Sequence, residues 1–94
     1  MAVYVMLTRL TDQGAKAIKE KPGRILEVDD QLKDMGLTVL HQFAVLGRYD
    51  FVNIVEAPDN LTVARVALEL GSRGGIRIET LAAIPVQEFI AGLE

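Results

Sequence analysis

Two hydrophobic periodicities alternate along this chain, and their order limits its fold more than any single residue does. Residues 3–10 are nearly all apolar and rich in β-branched or aromatic side chains, which predicts a strand buried on both faces. Thr11 and Asp12 are capping residues for a helix that follows at once. Its first stretch, residues 14–20, is short, because Pro22 has no N–H for the next backbone hydrogen bond. Pro22 also suits the first position of a second helical segment. There Ile25, Val28, Leu32 and Met35 recur as one stripe, and Gly36 stops the helix as a left-handed cap. Residues 37–46 predict a second strand with Val39, His41, Phe43 and Val45 on one face. Gly47-Arg48-Tyr49-Asp50 is a turn, in which Gly47 tolerates positive φ and Asp50 accepts bonds from nearby amides. Residues 51–57 return as a third strand.

Pro58-Asp59-Asn60 punctuates the chain and caps a helix whose stripe is Val63, Val66, Ala67 and Leu70, ended by Gly71. Gly74-Gly75 turns into a fourth strand over residues 76–83. A short helix then starts at Pro85, with Val86, Phe89, Ile90 and Leu93 expected to face inward. Strand–helix–strand twice in succession is the split βαβ arrangement, so the fold class is α+β, a ferredoxin-like βαββαβ sandwich. Right-handed crossovers place both helices on one face of a four-stranded antiparallel sheet in the order 4-1-3-2. The other face is left bare.

Composition says what that bare face needs. The 94 residues make one domain, and a chain this short buries only about 60–65% of the surface its unfolded form exposes. Yet half of the residues are apolar, more than a monomer of this size hides, and a large apolar patch marks an interface. Self-association is therefore expected, as a homodimer or higher oligomer of the dimeric α/β-barrel type. The net charge of −3, with basic residues scattered among acidic ones, supplies no clustered field for nucleic acid. Cysteine is absent, which excludes disulfides, thiolate metal sites and cysteine nucleophiles. The opening Met-Ala-Val-Tyr-Val has no basic leader region, and no apolar run approaches the roughly 20 residues of a membrane span, so a cytoplasmic address is expected. The sequon at Asn60 is then idle.

Alternation along the strands proposes the ligand-facing residues. Asn53, Arg77 and Glu79 occupy the sides of their strands expected to face away from the helices. The first strand is apolar on either side, whether Tyr4, Met6 and Thr8 or Val3, Val5 and Leu7 point outward. A greasy face with a few polar groups suits a sheet-to-sheet dimer enclosing a small cavity, and equally a dry interface. His41, the only histidine, is the side chain able to titrate near neutrality, against the plain reading of a polar residue on an edge strand. Tyr49 and Asp50 together can orient a small polar ligand, or Asp50 can simply tie down its turn. Arg77 has the donor fork for a carboxylate or phosphate, or pairs with charges across an interface. Asp29, Asp30 and Asp34 read as a solvated helix face in which Asp29 can pair with Lys33, and no metal site is assigned to them. Gly71, Gly74 and Gly75 lack the spacing of a phosphate loop, and Ser72 has no nucleophile elbow. The candidate ligand-binding set is thus Tyr4, His41, Tyr49, Asp50, Asn53 and Arg77.

The run Leu46-Gly47-Arg48-Tyr49-Asp50-Phe51-Val52, followed by Val55-Glu56-Ala57-Pro58-Asp59, resembles the GYD domain family. The likeness extends from the apolar first strand to Arg77-Ile78-Glu79-Thr80-Leu81. It implies an oligomeric, ferredoxin-like α/β fold rather than a reaction. The layout is also similar to the effector-binding domain of leucine-responsive-type regulators, with Gly75-Ile76-Arg77-Ile78-Glu79-Thr80 at the corresponding fourth strand. That resemblance implies small-molecule sensing at subunit interfaces. The chain departs from it by lacking a helix-turn-helix and by the helix break at Pro22.

Three functions compete on this reading. The first is a small-molecule-binding or regulatory module whose interface pocket holds a small carboxylate or other metabolite, with no cofactor identified. The second is a cofactor-independent oxygenase or isomerase using His41, Tyr49 and Asp50 as acid–base groups. The third is a protein-interaction module.

Overall fold

The computed structural model describes residues 1–94. The chain runs β1 (Ala2–Leu10), α1 (Asp12–Glu20), α2 (Arg24–Asp34), β2 (Thr38–Ala44), β3 (Phe51–Ala57), α3 (Asn60–Ser72), β4 (Ile76–Ala83) and α4 (Val86–Leu93). The strands form one antiparallel sheet in the order β2-β3-β1-β4, the arrangement expected of a split βαβ repeat. The apolar first strand therefore lies inside the sheet, paired with β3 on one side and β4 on the other.

Local chemistry sets the helix ends. Thr11 Oγ1 accepts from the Gly14 amide at 3.1 Å and starts α1. The break that Pro22 imposes is real, but the second segment begins two residues after it, at Arg24, with Gly23 at its cap. At its far end the Leu37 N–H donates to Leu32 O and the Gly36 N–H to Lys33 O, with Gly36 at φ 100°. This reciprocal pair is a Schellman motif, and its two apolar partners, Leu32 and Leu37, are both buried. Asp59 caps α3 by accepting from the amide and hydroxyl of Thr62 at 2.9 and 2.8 Å, and these bonds hold its carboxyl below the usual range.

One core forms, on the helix side of the sheet. Tyr4, Met6, Val55 and Ala57 meet Leu32, Leu37, Val63, Val66 and Leu70 there. Tyr4, Met6 and Thr8 are thus the inward set of β1, while Val3, Val5 and Leu7 face the bare side. Gly14 is also buried, where α1 leaves the sheet: a Cβ on it would sit 1.9 Å from the Gly75 carbonyl oxygen. The backbones of α1 and the β4 entry touch there because no side chain intervenes.

Two expectations are overturned. Residues Val39, His41 and Phe43 do not share a face, because the β2–β3 register shifts between Val39 and His41. Leu40 is the extra residue of a bulge, so Val39 points to the core opposite Val55, whereas His41 and Phe43 point to the bare face opposite Ile54 and Val52. The last helix forms where expected but covers nothing: Val86, Phe89, Ile90 and Leu93 are 49–73% exposed. It projects from the sheet, giving extents of 51 × 29 × 19 Å and a radius of gyration of 14.1 Å. A compact chain of this length has about 12 Å.

Gly14→Ala is expected to destabilise the fold by about 2–3 kcal/mol, since the added methyl meets fixed backbone rather than a yielding side chain. Urea unfolding of the variant checks this, and an unchanged midpoint would remove the close approach from the account.

Candidate functional site

The sheet's helix side holds a cavity of about 210 Å³, roofed by α1 and α2 and floored by β1, β3 and β4. Its apolar lining includes Met6, Ile18, Ile25, Val28, Ile76 and Ile78. Polar groups gather along one wall, where the bulge at Leu40 turns Gln42 inward and sets it directly opposite Asn53. Gln42 Nε2 donates to Asp29 Oδ1 at 3.1 Å, bridging β2 to α2. Burial pushes the Asp29 carboxyl above its usual range, the Gln42 bond pulls it back, and the neighbouring Asp30 carboxylate raises it further. Asn53 Oδ1 is buried with no hydrogen-bond partner; Thr80 Oγ1, on the far side of Met6, is the other such atom but does not line the cavity.

The Gly-Arg-Tyr-Asp turn is built differently from a ligand clamp. Asp50 Oδ2 accepts from the Leu10 N–H at 2.7 Å, its own N–H donates to Thr8 O, and its carbonyl accepts from Val45 N–H. Two of these bonds tie the β2–β3 turn to the end of β1, and the third closes the turn itself. The Tyr49 hydroxyl donates to Glu79 Oε2 at 2.6 Å, reaching over β1 to the opposite edge strand on the bare face. That bond raises the pKa of the phenol, aided by partial desolvation and the Glu79 charge and opposed by Arg48 and Arg9. The Arg48 guanidinium lies 5.9 Å from the Tyr49 ring centroid.

The six residues singled out from sequence do not form one site. Tyr4 is 3% exposed on the core side and donates its hydroxyl proton to Asn60 Oδ1. Asn53 also faces the helices, opposite Met6, and not the bare face it was expected to share with Arg77 and Glu79. His41 lies exposed on the bare face, its ring stacked against Phe43 with centroids 6.4 Å apart. Arg77 is on the same face at the other edge, directly opposite Arg9, and donates to the Ile76 carbonyl. Three strand spacings, about 14 Å, separate β2, which carries His41, from β4, whose Glu79 holds the Tyr49 hydroxyl. His41, Tyr49 and Asp50 therefore do not converge as an acid–base set. Asp29 accepts from Gln42 instead of pairing with Lys33. Gln42 and Asp29 are the site residues that sequence reasoning passed over, and the bulge that brings them together carries no sequence signal of its own.

No helix is long and apolar enough to cross a membrane. The sheet order, the split crossover helix and the one-sided core define a small ferredoxin-like α+β domain. The chain belongs to the GYD domain family, whose model matches residues 4–93. It is 50% identical, over the whole of both chains, to a protein of Thermus thermophilus named "Glutamine synthetase and cystathionine beta-lyase binding protein". No solved structure matches it.

Replacing Asp50 with alanine is expected to cost about 1–3 kcal/mol in urea unfolding, because the Leu10 amide loses its acceptor, and Asp50→Asn less, since its carbonyl still accepts. The Tyr49 phenol, titrated by NMR on carbon-labelled tyrosine, should ionise above the ordinary range near pH 10 and shift downward in Glu79→Gln. A raised phenol pKa stabilises the fold at all pH values below the unfolded value, and this contribution disappears as pH rises through the folded one. A Tyr49 titration unmoved by Glu79→Gln would break the assigned link.

Proposed function

We propose that this chain is a non-catalytic regulatory module that self-associates through the bare face of its sheet and binds metabolic enzymes. The observation that carries the reading is the amount of uncovered surface. The chain exposes 6543 Å², whereas a folded monomer of 10.3 kDa exposes about 5,350 Å². The surplus of about 1,200 Å² exceeds the roughly 800 Å² that each partner contributes to a standard interface. Only 11 of the 94 residues are buried, so the core is one-sided and unfinished.

The uncovered surface is also of the right kind. Phe43 and Leu81 stand 56% and 48% exposed on the two edge strands of the bare face, with Val5, Leu7, Val52 and Ile54 between them. Arg9, Arg77, Glu56 and Glu79 add both signs of charge, which suits a self-complementary two-fold contact. Helix α4 follows β4 directly and presents its apolar stripe to the same second copy. The relative's name supports enzymes as the other partners, with glutamine synthetase and cystathionine β-lyase the first to test.

A second reading places a small carboxylate at the subunit interface, anchored by Arg77. It is favoured by the directly opposed Arg9 and Arg77, whose like charges repel unless an anion lies between them. The cofactor-independent oxygenase or isomerase loses its support, because its three acid–base residues are spread over the sheet and its turn.

Light scattering on the eluted protein should give a dimer or larger assembly. The double variant Phe43→Asp, Leu81→Asp should be monomeric with an unchanged far-UV spectrum, since both side chains are exposed within the single chain. A monomeric parent would overturn the self-association. Calorimetric titration into purified glutamine synthetase and cystathionine β-lyase from the same source should show saturable binding to at least one, and binding to neither would overturn the enzyme-partner reading.

A further inference from the structure

The cavity under α1 and α2 is formed within one chain, on the side of the sheet away from the proposed interface, and at one end it gathers the Asp29 carboxylate and the side-chain amides of Gln42 and Asn53. Asn53 Oδ1 is a buried acceptor with no donor. Asp29 uses Oδ1 to accept from Gln42, and Oδ2 takes part in no hydrogen bond. A buried acceptor without a donor, as Asn53 Oδ1 is here, is uncommon in folded proteins and is met by an ordered water or a bound group that donates. Of the two guanidinium groups on the lining, Arg73 is engaged by Gln31 and Glu69, and Arg24 sits exposed on the first turn of α2. The inner wall thus offers acceptors and negative charge beside an apolar floor.

We propose that this cavity binds a small primary amine with a short apolar body, its ammonium held between Asp29 and Asn53. An ammonium brings three donors and one positive charge, and here the Asn53 carbonyl oxygen and the Asp29 carboxylate await them. The apolar body lies over Met6, Ile76 and Ile78 and under Ile25 and Val28. At about 210 Å³ the cavity is smaller than the roughly 300–1,000 Å³ of sites for drug-sized ligands, so the ligand is a metabolite of amino-acid size rather than a nucleotide or large cofactor. A bare alkylamine and an apolar α-amino acid share this chemistry. The amino acid would in addition place its carboxylate towards Arg24 at the mouth. Burial disfavours the unaccompanied Asp29 carboxylate, and a neighbouring ammonium is the countercharge that relieves it.

Calorimetric titration with isoamylamine, leucine and isovalerate separates the cases, because the three share one branched body and differ in the charged head. Isoamylamine or leucine should bind, and isovalerate should not. Binding of leucine alone supports the site with Arg24 as a carboxylate anchor, and Arg24→Ala should then weaken it. Asp29→Asn, which keeps an acceptor for Gln42, should weaken amine binding by about tenfold or more. Asn53→Leu, which replaces an unpaired polar group with an apolar one of similar size, should weaken it without loss of fold. The monomeric Phe43→Asp, Leu81→Asp variant should bind the amine as the parent does, so the result does not depend on self-association. Binding of neither amine, equal binding of isovalerate, or unchanged affinity in Asp29→Asn would each overturn the proposal.

Discussion

A strand that is apolar on both faces needs cover on both sides of its sheet, and this chain supplies helices for one. β1 sits inside the sheet with Tyr4, Met6 and Thr8 sealed under the helices and Val3, Val5 and Leu7 left on the far side. Everything else follows from that imbalance. The core can be no larger than the layer between sheet and helices, so few residues are fully buried. The last helix finds nothing of its own chain to lie against. Under the proposed self-association a second copy would cover this surface and add to the stability of a fold that each chain forms by itself.

The elements themselves were legible because each is punctuated by residues with a fixed mechanical meaning. Pro22 breaks the first crossover, Gly36 at positive φ closes α2, and Asp59 caps α3. The strand order follows from right-handed connections once those elements are known. What sequence could not yield was facing. Period-two reasoning assumes an unbroken ladder, and one unpaired residue at Leu40 reverses the outer half of β2. Asn53 was misplaced for a related reason: a polar residue on a strand reads as solvent-facing, yet here it lies inside, beside a cavity. The stripe on α4 was expected to face inward and stands exposed, because an apolar stripe says that a face needs a partner without saying that the partner is in the same chain.

The Tyr49–Asp50 pair shows how one short motif can serve two unrelated ends. Asp50 turns its carboxylate back to the backbone of β1 and locks the β2–β3 turn against the central strand. Tyr49 turns the other way and spans the bare face to Glu79, under the guanidinium of Arg48. The aspartate is therefore structural, while the tyrosine belongs to the uncovered face of the sheet. The motif names the family without naming a reaction, because its acidic member is already occupied.

The bulge at Leu40 also has a meaning for how such a domain can diversify. His41 and Gln42 are neighbours in sequence but look into different worlds, one onto the open face and the other into the cavity. Moving the extra residue out of β2 and into the β2–β3 turn would pair Leu40 with Ile54, restore the regular ladder and exchange their places, with His41 opposite Asn53 and Gln42 opposite Val52. The cavity wall would gain an imidazole, and the outer face would gain an amide. A lineage built on this scaffold can thus change the chemistry of an interior wall by sliding the register of an edge strand by one residue. No core side chain needs to be replaced, and the central pairing of β1 with β3 and β4 stays as it is.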